Sequence, residues 1–356
     1  MRLALVHDWL NNLGGAERVL IELHKIFPQA PIYTLFYNKK FVSEYLPDAT
    51  IVASSLQKVP HINRVYKYFS LIMPSMIESI DLSEYDIVLS SSVIFSKGLV
   101  LSLKTKHICY CYSPTRFLWD RHSDYENKSW QSTLARHLLR VWDRQASDRV
   151  NEFVAISEHV RDRIKKYYRR DSKVINPPIT LPASTQKSKT NQDNYYLVVS
   201  RLFPHKNIDV VVEAFNKLNL PLLIIGAGPE SRKLKTLAKS KKTKFLGFIP
   251  DQELSGYYQN CKAFIMPQEE DFGLTPLEAM SYGKPVLALR KGGALETVKE
   301  GETGEFFDDP IPEALADGVR RLNDNYSGYS PDLIKSSIEQ FSRDKFRQKM
   351  LELVNG

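Results

Sequence analysis

Four stretches of this 356-residue chain carry residues of the kind that handle anions and hydroxyl-rich ligands. The first is His7-Asp8-Trp9-Leu10-Asn11-Asn12-Leu13-Gly14-Gly15-Ala16-Glu17-Arg18, directly after a short apolar run. Gly14-Gly15 lets the backbone approach a ligand, and a helix starting at Ala16 would offer unpaired N–H groups to an anion. A plain turn explains the same two glycines, and the spacing is not the Gly-x-Gly-x-x-Gly of a dinucleotide fingerprint. The second stretch, Val198-Val199-Ser200-Arg201-Leu202-Phe203-Pro204-His205-Lys206-Asn207, delivers a guanidinium fork and an ammonium from the end of an apolar run. Arg201 and Lys206 suit a diphosphate, because charge-assisted contacts to phosphate are strong and the Arg fork is bidentate. The third, Ile224-Ile225-Gly226-Ala227-Gly228-Pro229, reads as a close turn after a strand, with Gly226 and Gly228 as weak nucleotide signals.

The fourth stretch, Pro267-Gln268-Glu269-Glu270-Asp271-Phe272-Gly273-Leu274-Thr275-Pro276-Leu277-Glu278, is the most informative. Thr275 is expected to cap a helix, with Pro276 at its first position and Glu278 closing a capping box. That accounts for Glu278 but not for three carboxylates crowded ahead of a flexible Gly273. A carboxylate such as Glu270 would accept sugar hydroxyls, Glu278 would hold a ribose diol, and the amides of Phe272, Gly273, Leu274 and Thr275 would face a phosphate or sugar.

These loops need strands and helices to hold them. Strands are expected at Leu3–Val6, Ile87–Ser90, Ile108–Tyr112, Phe153–Ile156, Tyr196–Ser200, Leu222–Ile225, Thr243–Leu246, Ala263–Met266 and Pro285–Ala288. Helices are expected at Ala16–Ile26, Ile208–Leu218, Gln252–Asn260, Thr275–Tyr282 and Ile311–Asn323. Apolar runs alternating with longer helical patterns mean α/β layers with parallel sheets. Asn176-Pro177-Pro178 and the polar Ser/Thr/Lys/Gln/Asn tract after Leu181 mark a break. The expected organisation is a first Rossmann-like domain over 1–178, a linker over 179–194 and a second domain over 195–337. The segment from about 338 to 356 is expected to pack back on the first domain, and a cleft to lie between the two.

Composition narrows the class. The chain has 49 Lys+Arg and 41 Asp+Glu, so 49 − 41 = +8, with 43% hydrophobic residues. That is an ordinary globular balance, against disorder or a coiled coil. Residues 101–175 hold 16 basic and 9 acidic residues, 16 − 9 = +7. The surplus fits a solvated helix face as well as an anionic membrane or substrate. Nothing accompanies it that would indicate nucleic acid. Three cysteines, with Cys109-x-Cys111 lacking a distant partner pair, speak for core thiols rather than disulfides or a metal. No apolar run is long enough to span a bilayer. The apolar start Leu3 to Val6 stops after four residues, short of the about 7–15 of a signal peptide, so a cytoplasmic protein is expected. Residues 56–77 mix basic, aromatic and aliphatic side chains and read either as a core helix or as a helix on a membrane surface.

In order along the chain, these motifs resemble the retaining glycosyltransferases of the GT-B fold, family 4 (group 1). The resemblance rests on Ser200-Arg201…Lys206-Asn207, Gly226-x-Gly228-Pro229, Leu246-Gly247-Phe248, Glu270-(x)7-Glu278 and Gly292-Gly293-x-x-Glu296. The earlier half adds Gly14-Gly15-x-Glu17 and Ala155-Ile156-Ser157, and together they span roughly residues 1–310. Tyr110-Cys111-Tyr112-Ser113-Pro114-Thr115-Arg116 resembles a segment of bacterial mannosyltransferases that build surface polysaccharides. The resemblance implies two Rossmann-like domains facing across a cleft and a nucleotide-diphosphate sugar, GDP-mannose favoured, as donor, with no metal and no cofactor. It implies that Arg201 and Lys206 neutralise the diphosphate, that Glu270 meets the donor sugar and Glu278 the ribose. Gly14, Gly15, Tyr112 and Arg116 would lie on the phosphate or acceptor side. Relatives commonly carry His where this chain has Tyr112, which can donate a hydrogen bond but is no acid–base group near neutral pH. The acceptor would be a glycan or a lipid-linked sugar, the latter placing the enzyme peripherally on the inner face of the cell membrane. An NDP-sugar epimerase and a non-catalytic NDP-sugar-binding protein are the rival readings.

Overall fold

The computed structural model describes residues 1–120, 130–180 and 194–356. It divides into two compact units, Met1–Pro178 with Arg343–Gly356, and Ile179–Ser342. Most of the expected linker, 181–193, lies outside the described residues.

In the first unit, β1 (Leu3–His7), β2 (Ile32–Thr34), β3 (Ile51–Ala53), β4 (Ile87–Ser92), β5 (Lys106–Cys111), β6 (Glu152–Ala155) and β7 (Ser172–Val174) form one sheet in the order β3-β2-β1-β4-β5-β6-β7. Every pairing in it is parallel. In the second, β8 (Tyr195–Val199), β9 (Leu222–Ile225), β10 (Thr243–Gly247), β11 (Cys261–Met266), β12 (Val286–Leu289) and β13 (Gly304–Phe307) are likewise parallel, in the order β10-β9-β8-β11-β12-β13. Both orders run outward from a first strand and then reverse, the doubly wound Rossmann pattern. The reversal falls between β1 and β4 in one unit and between β8 and β11 in the other.

The strands form where side chains can be buried on both faces: β9 is apolar and buried along its length, and β4 is buried throughout, apolar over Ile87 to Leu89 and serine over Ser90 to Ser92. Helix Ile208–Leu218 buries Ile208, Val211, Val212 and Phe215, an i, i+3, i+4, i+7 stripe. Each such side chain removed from water contributes about 1.5–3 kcal/mol. The three cysteines are free and buried. Residues 301–304, whose two glycines suggest a single turn, are half a turn and half a strand. Gly301 has φ 75°, but Gly304 opens β13, where an added Cβ would sit 1.9 Å from the Val286 carbonyl oxygen.

Helix Arg343–Asn355 belongs to the first unit. It buries Phe346, Met350, Leu353 and Val354, with Phe346 edge-on to Tyr110 at 5.9 Å and Arg343 3.5 Å from Glu22. The segment that joins this unit starts at Arg343 and not near 338. Residues up to Phe341 are held in the second unit, where the Phe341 carbonyl accepts from Ile179 N–H at 3.0 Å and its ring meets Phe272 at 5.3 Å.

Residues 56–77 are not one helix. They run as short turns, Ser55–Lys58, Ile62–Val65 and Tyr66–Phe69, before helix Met73–Glu78. His61 at φ 55° breaks the first of these from the second. Leu56, Ile62, Met73 and Ile77 are core, whereas Tyr68, Leu71 and Ile72 are exposed. Among the described residues, no helix is long and apolar enough to cross a membrane.

Candidate functional site

In a doubly wound sheet, ligands collect beyond the carboxyl ends of the strands at the reversal of strand order. In the second unit the chain leaves β8 through Ser200 and Arg201, and leaves β11 through Pro267 to Asp271. A turn over Pro204–Lys206 and the left-handed Asn207 (φ 51°) redirect the first loop into helix Ile208–Leu218. The Asn207 amide donates to the Pro267 carbonyl at 3.0 Å, which locks the two loops together. Lys206 is thereby buried, and its ammonium is bonded to Glu270 Oε1. Gln268 Nε2 donates to the same oxygen at 2.9 Å. Arg201 stays exposed, its guanidinium 5.6 Å over the Phe203 ring. The structure therefore brings Lys206 and Glu270 into contact and keeps Arg201 on the same loop, open to solvent.

The second loop is shaped by glycine. Gly293 N–H donates to the Glu270 carbonyl at 2.9 Å, and Gly292, at φ 64°, lies so close that a Cβ would be 2.3 Å from the Glu270 oxygen. Gly226 and Gly228 serve packing in the same way. Cβ atoms there would meet the carbonyls of Ser200 at 1.8 Å and Leu202 at 2.3 Å, so the β9 loop lies flat against the Arg201 loop.

The expected capping box does not form. Helix Leu274–Ser281 begins one residue before Thr275, because Gly273 takes φ 89° at the N-cap, where it has no side chain to offer. Thr275 and Pro276 sit inside the first turn. Glu278 is buried and accepts the Tyr258 hydroxyl at 2.8 Å, with Tyr258 stacked on Tyr282. Phe272 points its ring into the core, so what it offers a ligand is backbone.

The first unit uses its strand ends differently. The Asp8 carboxylate, 1% exposed, accepts four successive backbone N–H groups: Val93 at 2.7 Å and Ile94 at 2.9 Å on Oδ2, Phe95 at 2.5 Å and Ser96 at 2.8 Å on Oδ1. His7 donates from Nδ1 to the Ser91 carbonyl at 2.8 Å, leaving Nε2 3.7 Å from Glu17 Oε1. Burial alone would lower the His7 pKa. The Glu17 carboxylate, then Asp8, more than offsets this and holds it above its ordinary value.

Glu17 also accepts Gly14 N–H at 2.9 Å, so at the glycine pair expected to approach a ligand this N–H is already met by the helix's own acid. Gly15 is the first residue of that helix, Gly15–Ile26. Tyr112 does meet this region: its hydroxyl donates to the Ala16 carbonyl at 3.0 Å and pairs with Ser91 Oγ at 2.8 Å. Burial pushes its pKa well above the ordinary value, so it remains a phenol and a latch.

Arg116 opens helix Arg116–Trp119 and pairs with Asp120 at 3.6 Å. The loop before it is pinned by Asp143, which takes Thr115 Oγ1 at 2.7 Å, Trp119 Nε1 at 2.7 Å and the Lys97 ammonium at 2.6 Å. His7, Asp8 and Gln268 stand in the stretches named above without a role of their own, and Lys97 and Asp143 stand in none. The first two directly end a predicted strand, which was the available signal; Lys97 and Asp143 carried none.

Residues 182–340 match the family model described as glycosyl transferases, group 1. Along nearly the whole chain, an uncharacterised glycosyltransferase of Haemophilus influenzae is 24% identical, covering 98% of this chain and 97% of its own. The alpha-1,3/1,6-mannosyltransferase ALG2 of Candida glabrata is 24% identical, over 98% and 91%. A probable sucrose-phosphate synthase of Thermosipho melanesiensis is 27% identical over 57% of this chain, which spans 50% of that protein. Among solved structures, Anabaena HepE in complex with UDP superposes with a TM-score of 0.73 at 18% identity, each chain covered completely. The fold is GT-B, and the residues that match the group 1 model fall within the second unit.

Proposed function

We propose that the chain is a retaining, metal-independent glycosyltransferase that moves a hexose, mannose favoured, from a nucleotide-diphosphate sugar to a glycan or lipid-linked acceptor in surface polysaccharide assembly. The observation that carries this reading is the clustering of Lys206 and Glu270, with Arg201 on the loop that holds Lys206, at the reversal of strand order in the unit that holds the group 1 match. Mannose rests on the likeness to ALG2 and on the Tyr110–Arg116 segment; the UDP bound by HepE keeps uridine donors in view.

The chemistry follows from charge. The bond from the anomeric carbon to the diphosphate oxygen breaks through an oxocarbenium-like state, and negative charge grows on the leaving group. Arg201 and Lys206 stabilise that charge where it develops, supplying the positive field themselves. The acceptor hydroxyl bonds to the anomeric carbon from the same face and passes its proton to the departing phosphate oxygen, so configuration is retained without a protein nucleophile. Glu270 would exchange its contact with Lys206 for the donor sugar as the diphosphate arrives, and Glu278 would hold the ribose. A lipid-linked acceptor would bring the first unit to an anionic inner leaflet, for which its basic surplus and the exposed Tyr68, Leu71 and Ile72 are suited.

Thermal shift against GDP-, UDP- and ADP-sugars, followed by transfer assays with and without acceptor, tests the proposal. A donor at 100 times its Kd raises stability by about 2.7 kcal/mol. Sugar transfer that needs an added acceptor separates this reading from an epimerase, and absence of both donor binding and donor turnover defeats it. Sedimentation with vesicles of neutral or anionic lipid tests the membrane part; no binding at low salt removes it.

A further inference from the structure

Gln268 stands two residues beyond the end of β11 and is 3% exposed. Its two amide atoms have unequal fates. Nε2 donates to Glu270 Oε1 at 2.9 Å, and because a carboxylate only accepts, that contact fixes which way the amide is turned. Oε1 must then face elsewhere, and it is buried with no hydrogen-bond partner among the described residues. Buried side-chain acceptors are nearly always met, by protein, water or ligand.

The position narrows what meets this one. It lies beside the Lys206–Glu270 contact, at the strand end where the donor would bind. A phosphate oxygen is itself an acceptor and gives an amide oxygen nothing. A hydroxyl donates, and a hexose is the part of the donor rich in hydroxyls. We propose that Gln268 is a sugar-specificity residue: its Oε1 accepts one hydroxyl of the donor hexose while its Nε2 holds the Glu270 carboxylate in place. This rests on the nucleotide-sugar reading above and adds to it a residue that separates the sugar from its nucleotide.

The consequence is a split between ligands. The nucleoside diphosphate does not feel Gln268, whereas the intact donor does. Isothermal titration of the full chain with GDP and GDP-mannose, and with UDP and UDP-glucose, compares the wild type with Gln268→Met, which keeps the length and apolar bulk but removes both polar atoms. The expected result is about a tenfold loss of affinity for the sugar nucleotide that the wild type binds, with its diphosphate parent changed less than about threefold. Deoxy donors, each lacking one hydroxyl, then identify the partner: one of them loses a similar factor on the wild type and little more on the variant. If Gln268→Met does not fold, Gln268→Asn, which withdraws the amide by one methylene, is read in the same way. Equal losses for diphosphate and donor mean a merely structural role and overturn the inference. So does a set of deoxy donors none of which is coupled to Gln268, the result expected if a bound water meets Oε1. Both outcomes leave the glycosyltransferase reading intact; a wild-type protein that binds none of the four nucleotides overturns the two together.

Discussion

The two sheets reverse their strand order in the same way and spend the resulting crevice in opposite ways. In the first unit an acid of the chain itself, Asp8, fills the ring of amides at Val93 to Ser96, and Tyr112 spends its hydroxyl on the neighbouring helix. In the second, Lys206 meets one carboxylate and Arg201 meets solvent. One crevice is closed by an internal anion. The other, on the proposed reading, is set with cations for an incoming one. Topology fixes where a site can be, and the sign of the side chains decides whether that place is kept as structure or held open for chemistry.

The contrast can be broken most forcefully at Asp8. Asp8→Ala strands four N–H groups, those of Phe95 and Ser96 buried and those of Val93 and Ile94 half-buried, and chemical denaturation should show a loss on the order of 4 kcal/mol. An unchanged midpoint would mean that Asp8 is not structural and that the two crevices are alike. Next in size, Arg201→Ala and Lys206→Ala should each slow sugar transfer on the order of a hundredfold, the exposed Arg201→Ala with melting close to wild type. Near-normal turnover in both would remove the cations from the reaction.

Two buried histidines of the first unit sharpen the picture through pH. Burial pushes His107 down to about 3, so the unfolded chain takes up a proton below 6.5 that the folded chain refuses. Stability is therefore present above 6.5 and lost as pH falls, by about 1.4 kcal/mol per pH unit towards 3. His107→Gln should flatten that part of the acid limb in urea midpoints taken from pH 4 to 6.5. His7 has the opposite sign. Its raised value adds stability that is complete below 6.5 and fades as pH rises through the folded value. Glu17→Gln, the smallest effect, should cost about 1 kcal/mol at pH 6 and less at pH 9; an equal cost at both would detach His7 from Glu17.

Much of this layout was readable in the chain because parallel strands buried on both faces leave uninterrupted apolar runs, as at Leu222–Ile225. The cations were readable because Arg201 and Lys206 follow such a run directly. The strands missed were β2, β3 and β7, of three residues each, too short to show any period, and β13, whose glycine reads as a turn. Asp8 hid its role because the amides it binds lie about eighty-five residues further on. Gln268 hid beside Glu269, Glu270 and Asp271, whose carboxylates carried the sequence reading, and only the fold shows that it alone of the four is buried. Thr275 misled because it has the right chemistry for a cap, and only the positive φ of Gly273 moves the helix start past it. Residues 56–77 have a composition that suits a core helix or a helix on a membrane surface, but the left-handed His61 breaks them.

The helix Arg343–Asn355 has a consequence for assembly in time. It completes the first unit, yet it follows the whole of the second in the chain. As the polypeptide emerges from the ribosome, the later module has all of its sequence in hand before the earlier one does. The unit begun first is the unit finished last, with Tyr110 waiting for Phe346 across the full synthesis of its neighbour.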